Sequence, residues 1–157
     1  MKSLVAYFSA SGVTAALATR LAEAIQAPAY EIRPAVAYTP ADLNWMDKQS
    51  RSTVEMQDKS CRPALKDTEA PVADADVIFV GYPVWWYREP SIIDSFLAAY
   101  DFSGKTVVLF ASSGGSGIGQ EAPARAAEIT GAEVKPGMRF SANASAEELK
   151  AWAEQYL

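Results

Sequence analysis

The chain has 157 residues, half of them hydrophobic, a formal net charge of −5, one cysteine and no histidine. That predicts a single domain over residues 1–157 with a sizeable core. It excludes a basic nucleic-acid footprint, a Ser-His-Asp triad or histidine base, an intramolecular disulfide and a histidine-rich metal site.

Leu4–Phe8 is a short apolar run that reads as a buried strand. With Lys2 before it, the run faintly resembles a signal peptide, but it breaks at Ser9, too soon for a signal core. A helix follows, with Leu17, Leu21 and Ile25 on its apolar face, stopping before Pro28. A short strand is expected around Tyr30–Arg33. The polar stretch from Pro40 to Glu69 predicts an irregular helix and a loop. Thr39-Pro40-Ala41-Asp42 can start that helix, but Leu43, Met46 and Val54 give it a poor apolar face. Cys61 lies in this stretch and reads as structural or incidental.

Val77–Val80 is the next strand. Pro90 is expected at a first helical position, ahead of Ile93, Phe96, Leu97 and Tyr100. Val107–Ala111 is a further strand, Gln120–Thr130 a helix ending at Gly131, and Val134–Phe140 a weaker strand. Ser145 and Glu148 form a capping-box pattern for a last helix with Leu149, Trp152 and Tyr156. Continuous apolar runs alternating with helices predict an α/β fold, a doubly wound parallel sheet with helices on both faces and right-handed crossovers. No stretch is long enough to span a membrane, and one cysteine fits a reducing cytoplasm.

In such a sheet, ligands bind beyond the carboxyl ends of the strands. Three loops there carry the signal. Ser9-Ala10-Ser11-Gly12-Val13-Thr14 joins the first strand to its helix. Helix N-termini offer free N–H groups and a partial positive charge to phosphate; the hydroxyls of Ser9, Ser11 and Thr14 add to them. The loop has no lysine for a nucleoside triphosphate and one glycine where a dinucleotide loop has three. It also lacks the cysteine of a tyrosine phosphatase loop. By itself it is equally compatible with an ordinary capped turn.

The second loop, Gly81-Tyr82-Pro83-Val84-Trp85-Trp86-Tyr87-Arg88-Glu89-Pro90, holds four aromatics and two prolines, which a flat ligand stacked on them would explain. The third, Ser112-Ser113-Gly114-Gly115-Ser116-Gly117-Ile118-Gly119, is too rich in glycine to be favoured for stability, and suits backbone contact with a ligand edge. Together the three suit a planar heterocycle with a phosphate tail.

These motifs, with Glu31-Ile32, Tyr38-Thr39 and Arg62-Pro63, make the chain resemble the flavodoxins, specifically short bacterial flavodoxin-like proteins. The resemblance implies a five-stranded sheet of order 2-1-3-4-5 and FMN as cofactor. It implies that Ser9, Ser11, Gly12, Val13 and Thr14 hold the phosphate. Pro83, Val84, Trp85, Trp86 and Tyr87 would line one side of the flavin ring, and Ser112, Ser113, Gly114, Gly115 and Gly119 the other. Two positions depart from the pattern. Val13 stands where many relatives have Asn, and Tyr87 where many have Gly. A non-glycine residue at that turn makes a left-handed backbone state cost about 1–2 kcal/mol, which leans toward two-electron chemistry.

The function expected from the resemblance is an FMN oxidoreductase passing reducing equivalents from NAD(P)H to a quinone-like or other small acceptor, as a monomer or homodimer. Tyr87, Arg88 and Glu89 are the polar candidates for substrate contact. The alternatives are a one-electron carrier between redox protein partners, which acidic charge favours, and a non-catalytic flavodoxin-like binding module. A receiver domain is excluded, because Phe8-Ser9 and Gly81-Tyr82 stand where its acidic residues belong.

Overall fold

The computed structural model describes residues 2–44, 46–58, 60–85, 88–113 and 117–157. Five strands form one sheet in the order β2-β1-β3-β4-β5. They are β1 (Ser3–Tyr7), β2 (Ala29–Glu31), β3 (Val77–Pro83), β4 (Thr106–Ser112) and β5 (Glu133–Phe140), and every pairing is parallel. The helices are α1 (Val13–Ile25), α2 (Arg51–Gln57), α3 (Ser91–Ala99), α4 (Ala122–Thr130) and α5 (Ala146–Glu154).

Alternating side chains of the central strands feed two separate apolar layers, as the period of two in a strand requires. Leu4, Ala6, Ile78, Val80 and Leu109 meet Ile93 and Phe96 of α3 and Ala126 of α4 on one face. Val5, Phe79, Val108 and Phe110 meet Leu17 and Leu21 of α1 and Trp152 of α5 on the other. Both faces are dry, which is why these strands read as unbroken apolar runs. The two edge strands differ: β2 has only 3 residues, and β5 is mostly half-exposed.

Boundaries shift by one to three residues from expectation; β3 runs on through Pro83, so Gly81, Tyr82 and Pro83, read as loop, belong to the sheet. Pro90 is the cap of α3 and not its first residue, with an extended backbone and its carbonyl accepting from Ile93 N–H. In the polar middle segment, Thr39 and Asp42 do satisfy each other's backbone N–H groups, at 2.9 and 3.2 Å. Only turns follow there. The helix begins at Arg51, where the Ser50 hydroxyl accepts from Thr53 N–H and is within 2.8 Å of the Thr53 hydroxyl.

Candidate functional site at the carboxyl edge of the sheet

Adjacency of β1, β3 and β4 brings the three loops to one edge. Phe8 N–H donates to Gly81 O at 3.0 Å, and Pro83 stands opposite Ser112 in the ladder. The loop after β1 turns at Gly12, whose φ of 94° only glycine adopts without strain. Gly12 N–H donates to Ser9 Oγ at 3.0 Å, which shapes the loop and leaves the Ser9 O–H free to donate. No side chain caps α1. Its first-turn N–H groups therefore face the open edge beside the exposed Ser11 and the 42 %-exposed Val13. An uncapped helix start next to exposed hydroxyls fits a phosphate monoester.

Thr14 is placed differently from Ser11. It is buried, and its Oγ1 lies 2.7 Å from Ser112 Oγ at the end of β4. This contact between residues of two expected ligand loops fixes the cradle relative to the third loop. A further tie comes from Tyr82, whose hydroxyl donates to Ile118 O at 2.8 Å. Ser113 is held against β5: its N–H donates to Phe140 O and its carbonyl accepts from Arg139 at 2.9 Å. Gly119 has φ 104°. Gly114, Gly115, Trp86 and Tyr87 lie outside the described residues.

Trp85 and Arg88 exchange backbone hydrogen bonds at 3.0 Å in both directions. The Trp85 ring meets Phe8 edge-on at 5.6 Å and Tyr38 at 5.5 Å, while Phe8 and Tyr38 meet at 5.7 Å. Tyr38 is a residue that the loop motifs did not single out. Arg51 lies over its ring at 4.0 Å and pairs with Glu55, which accepts the Tyr38 hydroxyl. Burial, together with Glu55, pushes that hydroxyl's pKa well up, so it stays a donor. The middle segment thus braces the aromatic loop through α2.

Arg88 and Glu89 face inward. Arg125 of α4 grips Glu89 with two bonds of 2.6 and 2.8 Å, and Arg88 donates to Asp94 of α3 at 2.9 Å. Glu89 is 2 % and Asp94 0 % exposed. The charges of these two candidates for substrate contact are thus committed to a buried network that anchors the aromatic loop to α3 and α4. Spacing could not reveal it, because the partner Arg125 is distant in sequence.

Burial, with the neighbouring Glu89 carboxylate, pushes the Asp94 carboxyl up to about 8, against Arg88 and Arg125. Arg62 also stands 3.8 Å from Asp94. For Glu89, burial acts upward but the Arg125 hydrogen bonds prevail and hold it below the usual carboxylate range. The sign for Asp94 follows from its raised folded value. Its contribution to stability is complete below the unfolded value near 3.8 and drains away as pH rises toward about 8. Asp94→Asn removes the titration. The excess of the native melting temperature over the variant's should therefore shrink between about pH 5 and about pH 8.5. A constant difference across that window would mean that Asp94 is already ionised in the fold.

The flavodoxin family profile matches residues 2–156. A candidate flavoprotein from Bacteroides uniformis ATCC 8492 is 44% identical, covering 98% of this chain and 97% of its own, with a TM-score of 0.84. A candidate flavoprotein from Bacteroides eggerthii DSM 20697 is 39% identical over 98% of this chain and 96% of its own, with a TM-score of 0.86. A flavoprotein in complex with FMN from Lactobacillus acidophilus NCFM shares the fold at 20% identity, over 97% of this chain and 98% of its own, with a TM-score of 0.67. No curated protein matches the sequence.

Proposed function

The chain belongs to the flavodoxin family, and we propose that it binds FMN as a single domain and moves reducing equivalents from NAD(P)H to a small acceptor such as a quinone. The observation that carries this reading is the uncapped start of α1, set between the exposed Ser11 and the loops after β3 and β4. The first-turn N–H groups and the Ser11 hydroxyl would hold the phosphate, and Thr14 would keep that turn at a fixed distance from Ser112. Trp85, Pro83 and Val84 would line one side of the ring and Ser113 the other. When bound, FMN supplies the hydride and electron chemistry; the protein supplies position and electrostatics.

Neutral donors suffice because the helix terminus carries partial positive charge. Ser11→Ala should weaken FMN by roughly 0.5–1.5 kcal/mol for one lost hydrogen bond, without lowering the melting temperature. Thr14→Ala should lower both, since its hydroxyl is buried against Ser112. Titration of apoprotein with FMN and with riboflavin checks this. Equal affinity for the two flavins would remove the phosphate from the account. In the same titration Trp85 fluorescence should be quenched, and Trp85→Phe should remove a measurable part of the quench.

A one-electron carrier is the second reading, favoured by the net charge of −5, which suits a basic protein partner. Anaerobic mixing of the FMN-loaded protein with NADH or NADPH separates the two. Bleaching of the flavin band by either nicotinamide supports the oxidoreductase. Bleaching by dithionite alone favours the carrier.

A further inference from the structure

A second cavity opens on the same sheet edge, on the β2 side of the phosphate cradle. Its volume is about 320 Å³, the low end of the range for small-molecule sites, roughly 300–1,000 Å³. Ser9 and Ala10 line it where β1 runs into the cradle, and Phe8 and Tyr38 supply aromatic walls.

The outer wall is built and not a fold in a loose loop. Ala35 N–H donates to Ala64 O at 2.8 Å and Lys66 N–H to Arg33 O at 2.9 Å, around an antiparallel bridge of Pro34 with Leu65. Leu65 packs onto the core. The Tyr30 hydroxyl, from β2, donates to Asp67, which ties the far end of that wall to the sheet. The charged lining is two cations, Arg33 and Lys66, and one carboxylate, Glu31. Glu31 is already paired with Arg33 at 3.3 Å. The lining itself carries one net positive charge beside its apolar walls, with the Asp67 carboxylate close to Lys66 and Arg33 just beyond it. Phe8 and Tyr38 also touch Trp85 edge-on at 5.6 and 5.5 Å. A molecule in the cavity would stand one aromatic layer from the loop assigned to the flavin ring.

The geometry points to a second ligand site here, one that takes a small planar anion of one or two fused rings. Lys66 and Arg33 meet the charge, and Phe8, Tyr38 and Pro34 meet the ring. The site adjoins the phosphate cradle and shares Ser9 and Ala10 with its loop. The inference builds on the reading of this protein as a redox domain serving a small acceptor, for which it names a chemical class.

The test measures binding and needs no turnover. FMN-loaded, oxidised protein is titrated by calorimetry with 2-hydroxy-1,4-naphthoquinone, an anion at neutral pH, and with neutral 2-methyl-1,4-naphthoquinone. The anion should bind at least about tenfold more tightly. The double variant Arg33→Glu with Lys66→Glu should abolish that preference while FMN affinity stays within about threefold. Ala35→Phe, at an exposed position on the wall, should weaken both ligands by filling the space. Equal affinity for the two quinones, or a preference that survives the charge reversal, would overturn the site. So would displacement of bound FMN by the anion, which would make the cavity part of the FMN seat. Failure of NAD(P)H to reduce the flavin would count against the oxidoreductase and leave this binding result standing.

Discussion

Arg125→Met should cost this protein about 3–5 kcal/mol of stability, the usual toll of breaking a buried ion pair from one side. Arg125 holds Glu89 through both carboxylate oxygens, and Glu89 is 2 % exposed. The remaining cation near Glu89 is Arg88, whose Nε stands 3.7 Å away, and Arg88 is already donating to Asp94 at 2.9 Å. Loss of Arg125 therefore takes both guanidinium hydrogen bonds from a buried carboxylate. The double variant Glu89→Gln with Arg125→Met should recover much of the loss, because it removes both charges of the pair together. Urea denaturation of the two single variants and the double gives the coupling directly. FMN affinity should fall with Arg125→Met, since Glu89 and Arg88 lead from Trp85 into α3. A loss under about 1 kcal/mol would show that water reaches Glu89 and that the loop is held by other contacts.

The second large effect is at the sheet edge. Val108 pairs with Lys135 and Phe110 with Met138, so one residue of β4 faces two of β5. This is a bulge, and Gly137 sits in it at φ 63°. A Cβ there would lie 1.5 Å from the carbonyl oxygen of Leu109. That oxygen belongs to a central strand and cannot swing aside. Gly137→Ala should cost roughly 1–2 kcal/mol for the left-handed backbone and a further 1–3 kcal/mol for the overlap. Gly131, at φ 68° with nothing near its virtual Cβ, is the matched control and should lose only the backbone part on substitution by Ala. Equal melting temperatures for the two variants would mean that β5 opens its bulge at little cost. Because Arg139 and Phe140 hold Ser113 from β5, Gly137→Ala should also loosen the third loop.

Residue order alone was enough for the central strands, the last helix and the three loop motifs. The apolar runs at Leu4–Phe8, Val77–Val80 and Val107–Ala111 mark strands because both faces of this sheet are covered, so no polar residue interrupts them. Ser145 marks the start of α5 because a hydroxyl that meets the N–H three residues on is a short-range device. The motifs after β1, β3 and β4 identify the family for the same reason: each lies on one continuous loop. The order of the strands then makes those loops neighbours.

Only tertiary structure decided what happens between loops. Thr14 looked like one more donor in the cradle, and the fold buries it against Ser112, 98 residues away in the chain. Arg88 and Glu89 looked like polar residues offered to a substrate. They turn inward because Asp94 and Arg125 wait there, 6 and 36 residues along. Tyr38 counted only toward the family resemblance and became a wall of the site once α2 supplied Arg51 and Glu55. The bulge at Gly137 depends on where Leu109 of the neighbouring strand points its carbonyl. Periodicity and loop composition report on neighbours along the chain. Burial of a charge depends on which distant residue the packing brings against it, and that is settled only when the helices close over the sheet.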